Sequence, residues 1–340
     1  MDEILLENGK KIILECDLSP VHEKTILITG ASGLFGVHFL YSILALKLEK
    51  EICPKKIYAI HHSILPEYIE NLSEFLPIEF LKGDLSDINF CKQLPLADII
   101  IHAATYGQPG KFLNNQITTF QLNTSTTIEL LNKLNIGGKF LFTSSCAVYT
   151  GCQSEIFSET DIGCTNTNHP RICYIEGKRA GEAICNIYRE CNGVHAVSVR
   201  ISYTYGPGVK KGDARAMYHF IEKGMKGDIC LLDQGRAVHT YCYITDAMVM
   251  AWQALLHGRE AVYNLAGDSE VSIYELASMI GKIMGRKVIL PEKEEGIAGA
   301  QILERTDISR VKNEFGKREF VGLEEGLRKT IEWYGKKNKK

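Results

Sequence analysis

Short apolar segments alternate with longer helix-like segments over the first two hundred residues of the chain. The apolar segments are residues 25–29, 56–60, 78–81, 98–102, 139–143 and 196–200. Such nearly continuous apolar runs are what parallel strands need when helices cover both faces of their sheet. Helix-like stretches between them include residues 33–48, 115–135 and 171–192. The alternation predicts an α/β fold built on a doubly wound parallel sheet of the Rossmann type.

A glycine-rich turn follows the first predicted strand. Its three glycines have the spacing GxxGxxG and lead into an apolar helix. The first glycine allows a tight turn, the second lets backbone approach a pyrophosphate, and the third lets the helix pack on the strand. The N–H groups at the start of the helix would face the phosphates. This arrangement predicts a dinucleotide site, with a tight turn that binds nothing as the alternative. The predicted contacts are Gly30, Ser32, Gly33, Leu34, Phe35 and Gly36.

The segment after the second strand bears on the choice between NAD and NADP. Sheets that bind NAD usually carry an acid there for the ribose hydroxyls, but this chain has His61, His62 and Ser63. Either histidine could lie beside a 2′-phosphate, or both could be solvated loop residues. Asp84, after the third strand, could accept a hydrogen bond from an adenine amino group or cap a helix. The sequence therefore predicts NAD or NADP as the cofactor.

Tyr174 and Lys178 are four residues apart in a helix-like stretch and therefore share one face. Free tyrosine, with a pKa of about 10, is a poor base at neutral pH. A nearby ammonium stabilises the phenolate, so that Tyr174 could exchange a proton with a sugar hydroxyl or ketone. Lys178 could also hold the nicotinamide ribose. Ser145, at the end of a strand, could bind the same oxygen, with Ser144 as the second choice. An amphipathic helix face and a strand-end cap are the alternatives.

These motifs occur in one order together with Gly83-Asp84-Leu85, His102-Ala103-Ala104, Asn123 and Tyr205-Gly206-Pro207. The chain thereby resembles the extended short-chain dehydrogenase/reductases of the NAD-dependent epimerase/dehydratase family, which act on nucleotide sugars. The resemblance covers residues 24–335 and looks strongest to UDP-glucuronate decarboxylases and 4,6-dehydratases. It implies bound NAD(P), a nucleotide-sugar substrate, carbohydrate biosynthesis, and a homodimer formed through helices 115–135 and 171–192. It also implies a triad of Tyr174, Lys178 and Ser145, and cofactor contacts from Leu85, Ala103 and Ala104.

One departure from the family pattern shifts the implied activity. Decarboxylases usually have Ser-Glu, and 4,6-dehydratases Asp-Glu, where this chain has Cys146 and Ala147. Acid/base chemistry at sugar C5 needs that carboxylate, whereas redox chemistry at C4 needs only the triad and nicotinamide. The sequence therefore favours a 4-epimerase or a 4-ketosugar reductase. The alternatives are a lyase with a carboxylate from elsewhere, such as Glu176, and a non-catalytic dinucleotide-binding protein.

The implied diphosphate contacts also depart from the family. Tyr203 stands where the family has Asn, and His239 stands where it has Arg. A neutral histidine lacks the charged, bidentate grip of arginine on phosphate. Arg236 could compensate, and Arg305 matches a second family arginine and is the preferred candidate. These changes leave open which nucleotide and sugar are bound, and whether the substrate is a nucleotide sugar. The expected substrate-binding residues are Ser145, Tyr203, Arg236, His239 and Arg305.

The regular alternation ends near residue 200, where glycine and proline become frequent. We predict a dinucleotide-binding domain over residues 24–200, to which residues 236–264 return. Residues 201–235 and 265–335 would form a smaller substrate-binding lobe. Residues 1–23 would form an N-terminal arm, in which Glu7-Asn8-Gly9-Lys10 is typical of a hairpin turn, with a short helix as the alternative. Residues 336–340 would form a basic tail.

The composition argues against several other classes of protein. Lys and Arg number 39 and Asp and Glu number 41, which gives no electrostatic footprint for nucleic acid. No apolar run reaches the ~18–20 residues of a membrane helix, and Met1-Asp2-Glu3 lacks the basic start of a secretory signal. The 11 cysteines form no CxxC pair. We therefore expect a reduced, cytoplasmic compartment and no metal site.

Overall fold

The computed structural model of the protein describes residues 1–292 and 303–338. Its strands are β1 (Thr25–Thr29), β2 (Lys56–His61), β3 (Ile78–Lys82), β4 (Ala97–His102), β5 (Leu134–Ser145), β6 (His195–Ile201), β7 (Tyr203–Tyr205), β8 (Ile229–Cys230), β9 (Val238–Tyr243), β10 (Val262–Leu265), β11 (Ser269–Ser272), β12 (Val288–Ile289) and β13 (Leu303–Glu304). Six of these strands match the six apolar segments of the sequence.

Helices separate most of these strands, and short 3₁₀ helices lie at Ser19–Val21, Asn71–Glu74 and Cys146–Tyr149. The α-helices are α1 (Glu3–Glu15), α2 (Leu34–Lys50), α3 (Glu67–Glu70), α4 (Ile88–Gln93), α5 (Pro109–Asn114), α6 (Gln116–Asn123), α7 (Ser125–Leu131), α8 (Ile172–Asn192), α9 (Ala216–Lys226), α10 (Ile244–His257), α11 (Ile273–Met284), α12 (Ser309–Phe315) and α13 (Leu323–Asn338). None of the described helices is long and apolar enough to cross a bilayer.

The main sheet contains seven parallel strands in the order β3-β2-β1-β4-β5-β6-β10. The interior strand β1 buries Ile26, Leu27 and Ile28 completely, because helices cover both faces of the sheet. The strand order reverses direction between β1 and β4. In open α/β sheets, ligands bind at this reversal, beyond the carboxyl ends of the strands. The predicted doubly wound α/β fold is confirmed.

The N-terminal arm forms a helix, so the favoured hairpin turn at residues 7–10 is wrong and the helical alternative is confirmed. Asp2 caps α1 by accepting a hydrogen bond from the Leu5 N–H. Gly9 lies where α1 packs closely on α2. A Cβ there would stand 2.3 Å from the Tyr41 carbonyl oxygen. The glycine that looked like a turn residue therefore allows two helices to approach each other.

Asp2 also connects α1 to the last helix of the chain. Its Oδ2 accepts a hydrogen bond from Trp333 Nε1 at 3.0 Å and lies 2.9 Å from the Lys337 ammonium. Asp2 and Trp333 are both buried. Further along α1, the buried Asn8 pairs with His38 of α2 at 3.1 Å. These contacts make α1 an integral layer of the fold that covers α2.

The predicted helix over residues 115–135 is interrupted. It divides into α6 and α7 at Thr124, whose φ of −117° and ψ of −87° are not helical. The buried Asn123 side chain donates hydrogen bonds to Thr105 Oγ1 and Thr119 O, which fixes the end of α6. The second helix ends at Leu131, and β5 begins already at Leu134. The bond to Thr105, in the loop after β4, is a tertiary contact that the sequence pattern does not reveal.

A second sheet is formed by strands that follow β6 in the chain. In it β9 pairs with β7, β11 and β13, while β8 and β12 form a separate parallel pair. Residues 236–264 divide between the two sheets, since β9 lies in the smaller sheet and β10 in the larger one. Residues 293–302 of the predicted lobe and 339–340 of the predicted tail lie outside the described residues.

Candidate active site

The glycine turn has the geometry that its spacing predicts. Gly30 has a φ of +67°, and a Cβ there would stand 2.6 Å from the Ala103 carbonyl oxygen. A Cβ on Gly36 would stand 2.3 Å from the Gly30 carbonyl oxygen. Gly33 is the N-cap of α2 and offers no side-chain cap. The first N–H groups of α2 therefore remain available at the carboxyl edge of the sheet.

One cleft of about 1220 Å³ brings together all but one of the predicted site residues. It extends from the glycine turn, past the end of β5 and the start of α8, to the second sheet. Arg305 is the exception. The predicted residues that line the cleft are Gly30, Ser32, Gly33, Leu34, Phe35, Gly36, His61, His62, Asp84, Leu85, Ala103, Ala104, Ser145, Tyr174, Lys178, Tyr203, Arg236 and His239.

Tyr174 and Lys178 lie one turn apart on α8, with the Lys178 Nζ 5.7 Å from the Tyr174 ring centroid. The Tyr174 ring stacks on Phe112, with centroids 4.7 Å apart and planes at 11°. The Lys178 Nζ donates a hydrogen bond to the Thr143 carbonyl oxygen and lies 4.9 Å from the centre of the Phe142 ring. Packing and the end of β5 therefore hold both side chains in place at the middle of the cleft.

Burial lowers the pKa of Lys178 to about 7, although the Glu182 carboxylate acts in the opposite direction. The side chain is 1% exposed, and desolvation penalises its charged form. Near neutral pH both forms of Lys178 are therefore accessible, and a phenolate at Tyr174 would favour the charged form. A lysine in this state suits a site through which protons pass.

The two serines at the end of β5 have different surroundings. Ser144 is buried, and its hydroxyl donates to Glu182 Oε1 at 2.5 Å. Ser145 is less buried, and its Oγ accepts a hydrogen bond from the Ala147 N–H at 3.2 Å. Its hydroxyl proton is therefore available to a bound oxygen in the cleft. Ser145 therefore stays the preferred candidate of the two.

A buried polar network that sequence reasoning missed lies behind the serines. Arg200 of β6 donates to both carboxylate oxygens of Glu182 from Nε and Nη2, and its Nη1 donates to Tyr149 at 2.9 Å. The Arg200 and Glu182 side chains are 5% and 6% exposed. This network joins β5, β6 and α8 directly beneath Lys178. Ser144 was the only member that the sequence motif identified.

At the end of the cleft beside β2 and β3, Asp84 accepts hydrogen bonds at Oδ1 from the Ser86 N–H and hydroxyl, at 2.9 and 2.7 Å. The Ser86 bonds, together with the charge of His62, hold the pKa of Asp84 below its usual value. Asp87, not Asp84, caps α4. His61 Nδ1 lies 2.9 Å from the Ser63 carbonyl oxygen. Asp84 and both histidines face the cleft from the ends of β2 and β3.

The far end of the cleft is aromatic. Tyr203 stacks on His239, with ring centroids 4.1 Å apart, and both residues line the cleft. Burial lowers the pKa of His239 to about 4, so this imidazole is neutral at pH 7. It therefore cannot supply the charge of the arginine that the family pattern has at this position. Arg236 also lines the cleft.

Arg305, the preferred phosphate ligand in the sequence analysis, lies outside the cleft. Its guanidinium forms a bidentate pair with Glu270 of β11, with Nε–Oε2 and Nη2–Oε1 distances of 2.6 and 2.7 Å. Arg305 does not line the cleft. Arg215, which sequence reasoning missed, does line it. Its Nε and Nη2 donate to the two Asp213 oxygens at 3.0 and 2.8 Å, and no motif marks this arginine.

The carboxylates that line the cleft are Asp84, Asp213 and Asp233, and none of them stands at residue 147, where the family pattern has a glutamate. Glu176, which the sequence offered as a substitute base, accepts hydrogen bonds from Thr165 at 3.1 Å and Arg179 at 2.5 Å, and it does not line the cleft. Ala147 lines the cleft where the family pattern has a glutamate. Among the described residues, no group of three His, Cys, Asp or Glu side chains could hold a metal ion.

Replacing Lys178 by methionine is expected to change how stability depends on pH. An unfolded lysine has a pKa of about 10.4, so from pH 10 down to 7 the unfolded state binds more protons than the folded state. Wild-type stability therefore rises with pH across this window, by up to about 1.4 kcal/mol per unit. Urea unfolding of cofactor-free wild type and Lys178→Met at pH 7, 8 and 9 should give a difference that changes with pH. The exposed Lys211→Met is the control. Parallel curves for wild type and Lys178→Met would contradict the lowered pKa.

Comparisons with known proteins identify the family. Residues 26–266 match the model of the NAD dependent epimerase/dehydratase family. UDP-glucuronic acid decarboxylase 1 of Xenopus tropicalis is 28% identical, over 94% of this chain and 74% of that protein. A dTDP-4-dehydro-6-deoxy-D-allose reductase of a Streptomyces species is 25% identical, over 92% and 96% of the two chains.

A solved structure shares the fold along most of the chain. It is a mutant UDP-glucuronic acid 4-epimerase from Bacillus cereus, in complex with NAD and a fluorinated UDP-glucuronic acid analogue. Its TM-score is 0.76 at 22% identity, over 92% of this chain and 99% of that one. With its glycine turn, its Tyr174–Lys178 pair and a family match over residues 26–266, the chain belongs to the NAD dependent epimerase/dehydratase family.

Proposed function

We propose that the protein is an NAD(P)-dependent enzyme that changes the oxidation state or the stereochemistry of a nucleotide sugar at C4. The observation that carries this proposal is the position of Tyr174, Lys178 and Ser145. They lie in one cleft that also contains the glycine turn. A 4-epimerase or a 4-ketosugar reductase needs no further ionisable group on the protein. At residue 147, where the family pattern has the glutamate for chemistry at C5, the same cleft has an alanine.

The residues at the sheet edge fit a dinucleotide. A side chain at Gly30 or Gly36 would collide with the backbone that shapes the glycine turn. The uncapped start of α2 offers N–H groups to a pyrophosphate. We assign this contact to Ser32, Gly33, Leu34 and Phe35 as well, and the adenosine contact to the residues after β2, β3 and β4. These are His61, His62, Asp84, Leu85, Ala103 and Ala104. When bound, the nicotinamide accepts or supplies a hydride at the sugar carbon.

In this proposal Tyr174 moves the proton. Its phenol gives a proton to the C4 oxygen during reduction, and its phenolate removes that proton during oxidation. The Lys178 ammonium, 5.7 Å from the ring centre, stabilises the phenolate form. The Ser145 hydroxyl donates a hydrogen bond to the same C4 oxygen. Phe112, stacked on Tyr174, keeps the ring in place and excludes water from one face.

The residues beyond the triad would bind the nucleotide and diphosphate. Tyr203 and His239 offer an aromatic surface on which a base can stack. Arg236 is the remaining predicted cation in this part of the cleft, since Arg305 lies outside it. We assign diphosphate binding to Arg236 and to Arg215. Residues 201–235 and 265–335 would then serve as the substrate-binding lobe over the dinucleotide-binding domain.

A decarboxylase is the second candidate function, because relatives that span most of the chain carry that name. The uncharged Ala147 and the engaged Glu176 argue against it. A non-catalytic dinucleotide-binding protein would not need a lysine buried beside a cleft tyrosine. The C4 reaction therefore agrees best with the cleft as a whole.

We also infer a homodimer and a cytoplasmic location. Ile117, Phe120 and Ile128 of α6 and α7 and Ile187 of α8 are exposed apolar side chains on the helices that the resemblance implies for dimer contact. Sedimentation velocity tests this association. All 11 cysteines are free thiols, as is usual in a reducing compartment.

The proposed activity can be tested with the purified protein and a panel of nucleotide sugars. First, denaturation and mass spectrometry identify any nucleotide that the protein releases. Then UDP-, dTDP- and GDP-linked hexoses and their 4-keto forms are supplied, with and without NAD(P)H. An isomer of unchanged mass indicates an epimerase, and oxidation of NAD(P)H with a 4-keto sugar indicates a reductase. A product lighter than its substrate by the mass of carbon dioxide or water would contradict the proposal and indicate a lyase.

A further inference from the structure

Lys210 extends from the loop after β7 to the glycine turn. Its Nζ donates hydrogen bonds to Ser32 Oγ at 2.8 Å and to Ser63 Oγ at 2.5 Å. Ser32 belongs to the glycine turn, and Ser63 follows the end of β2. One ammonium therefore joins the two segments that surround the adenosine ribose in sheets of this kind.

The surroundings of Lys210 are positively charged. Burial lowers the pKa of Lys210, and the nearby Lys111 ammonium adds to this effect. Both lysines line the cleft. Within residues 1–292 and 303–338, neither lysine takes part in an ion pair with a carboxylate. Asp84, the acid at this end of the cleft, already accepts two hydrogen bonds from Ser86.

The donors around Lys210 are those that a phosphate monoester needs. An ammonium and two hydroxyls can donate charge-assisted and neutral hydrogen bonds to its oxygens. A carboxylate after β2 would repel such a group and would accept hydrogen bonds from a free ribose diol instead. This chain has His61, His62 and Ser63 at that place.

We infer that Lys210, Ser32 and Ser63 form a subsite for the 2′-phosphate of NADP(H), so that a residue outside the glycine turn and β2 selects the cofactor. This inference rests on the proposed binding of a nicotinamide dinucleotide at the glycine turn. Lys210 moves from the two serine hydroxyls onto the phosphate, and the hydroxyls donate to it from the other side. A lysine on the loop after β7 thereby links cofactor choice to the position of that loop.

Calorimetric titration of the cofactor-free protein with 2′,5′-ADP and 5′-AMP tests the subsite without any turnover. Wild type should bind 2′,5′-ADP at least tenfold more tightly than 5′-AMP. Lys210→Met should weaken binding of 2′,5′-ADP by about 10- to 100-fold, as expected for a lost charged hydrogen bond, and should leave 5′-AMP within about twofold. Lys210→Arg should keep most of the preference. Titration with NADPH and NADH should give the same order.

Two further variants sharpen the test. The adjacent, exposed Lys211→Met controls for general loss of positive charge and should bind both nucleotides like wild type. Ser63→Asp places a carboxylate beside Lys210 and should reverse the preference towards 5′-AMP and NADH. Equal binding of 2′,5′-ADP and 5′-AMP by wild type, or equal weakening of both by Lys210→Met, would overturn the subsite. Failure to bind any of the four nucleotides would instead contradict the proposed function itself.

Discussion

Replacing Tyr174 by phenylalanine is expected to lower kcat by about 10²- to 10⁴-fold, the usual contribution of a positioned proton donor or acceptor. The change removes only the hydroxyl, and the ring can keep its stack on Phe112 at 4.7 Å. Lys178 keeps its hydrogen bond to the Thr143 carbonyl, so the site retains its shape. The loss should therefore appear in kcat, while the affinity for the cofactor stays within a few-fold. Turnover of the sugar identified by the panel, together with calorimetric binding of NAD(P)H, measures both quantities.

Tyr188→Phe is the matched control for this variant. Tyr188 lies on the same helix, and its hydroxyl donates to Asn132 at 2.7 Å outside the cleft. The control loses the same atom from α8 and should keep kcat near the wild-type value. Activity of Tyr174→Phe within about threefold of wild type would remove Tyr174 from the proton-transfer step. Under the non-catalytic alternative, neither variant would have an activity to lose.

Replacing Glu182 by alanine is expected to lower the free energy of unfolding by about 3–5 kcal/mol, because it leaves a buried guanidinium without its counter-charge. Arg200 directs Nε and Nη2 at Glu182 from a side chain that is 5% exposed. The Ser144 hydroxyl also loses its acceptor. Urea unfolding of the cofactor-free protein at pH 7 measures the loss. Removal of the carboxylate should also lower the pKa of Lys178 further, since Glu182 acts to raise it.

Glu324→Ala is the control, because it removes one partner of an exposed ion pair instead of a buried one. Glu324 pairs with Arg328 at 2.5 Å on the exposed face of α13. Such pairs usually contribute less than about 1 kcal/mol. A loss in Glu182→Ala no larger than in Glu324→Ala would show that the network beneath Lys178 does not stabilise the fold. Glu182→Gln keeps a hydrogen-bonding group of the same size. Its loss of unfolding free energy should lie between those of Glu182→Ala and Glu324→Ala.

Much of the fold could be predicted because the main sheet depends on local patterns. The predicted strands at residues 25–29 and 78–81 agree with β1 and β3 to within one residue, since their apolar runs are bounded on both sides by polar or turn residues. The hairpin at residues 7–10 failed for the opposite reason. Gly9 is explained by Tyr41, which lies on another helix. The break at Thr124 likewise depends on contacts of Asn123 with a distant loop.

The same distinction applies to the site. The glycine turn and Ser145 could be predicted to lie together because each follows or ends a strand at one edge of the sheet, and Tyr174 and Lys178 because they are four residues apart near the start of one helix. Glu182 and Arg200 were missed because a buried ion pair leaves no mark in a local sequence pattern. Lys210 and Arg215 lie in an irregular loop whose path only the structure shows. A match to a family arginine could not show that the Arg305 side chain pairs with Glu270 outside the cleft.

The contact of Asp2 with Trp333 has a consequence for how the chain reaches its native state. These residues are 331 positions apart, yet they share a buried hydrogen bond. During synthesis, α1 is made first, but its capping carboxylate receives its partners only when the final helix leaves the ribosome. Until then, the start of α1 lacks the contact with α13 in which Asp2 and Trp333 are both buried. Contacts of such long separation slow folding, and partly covered apolar surface is a target for chaperones.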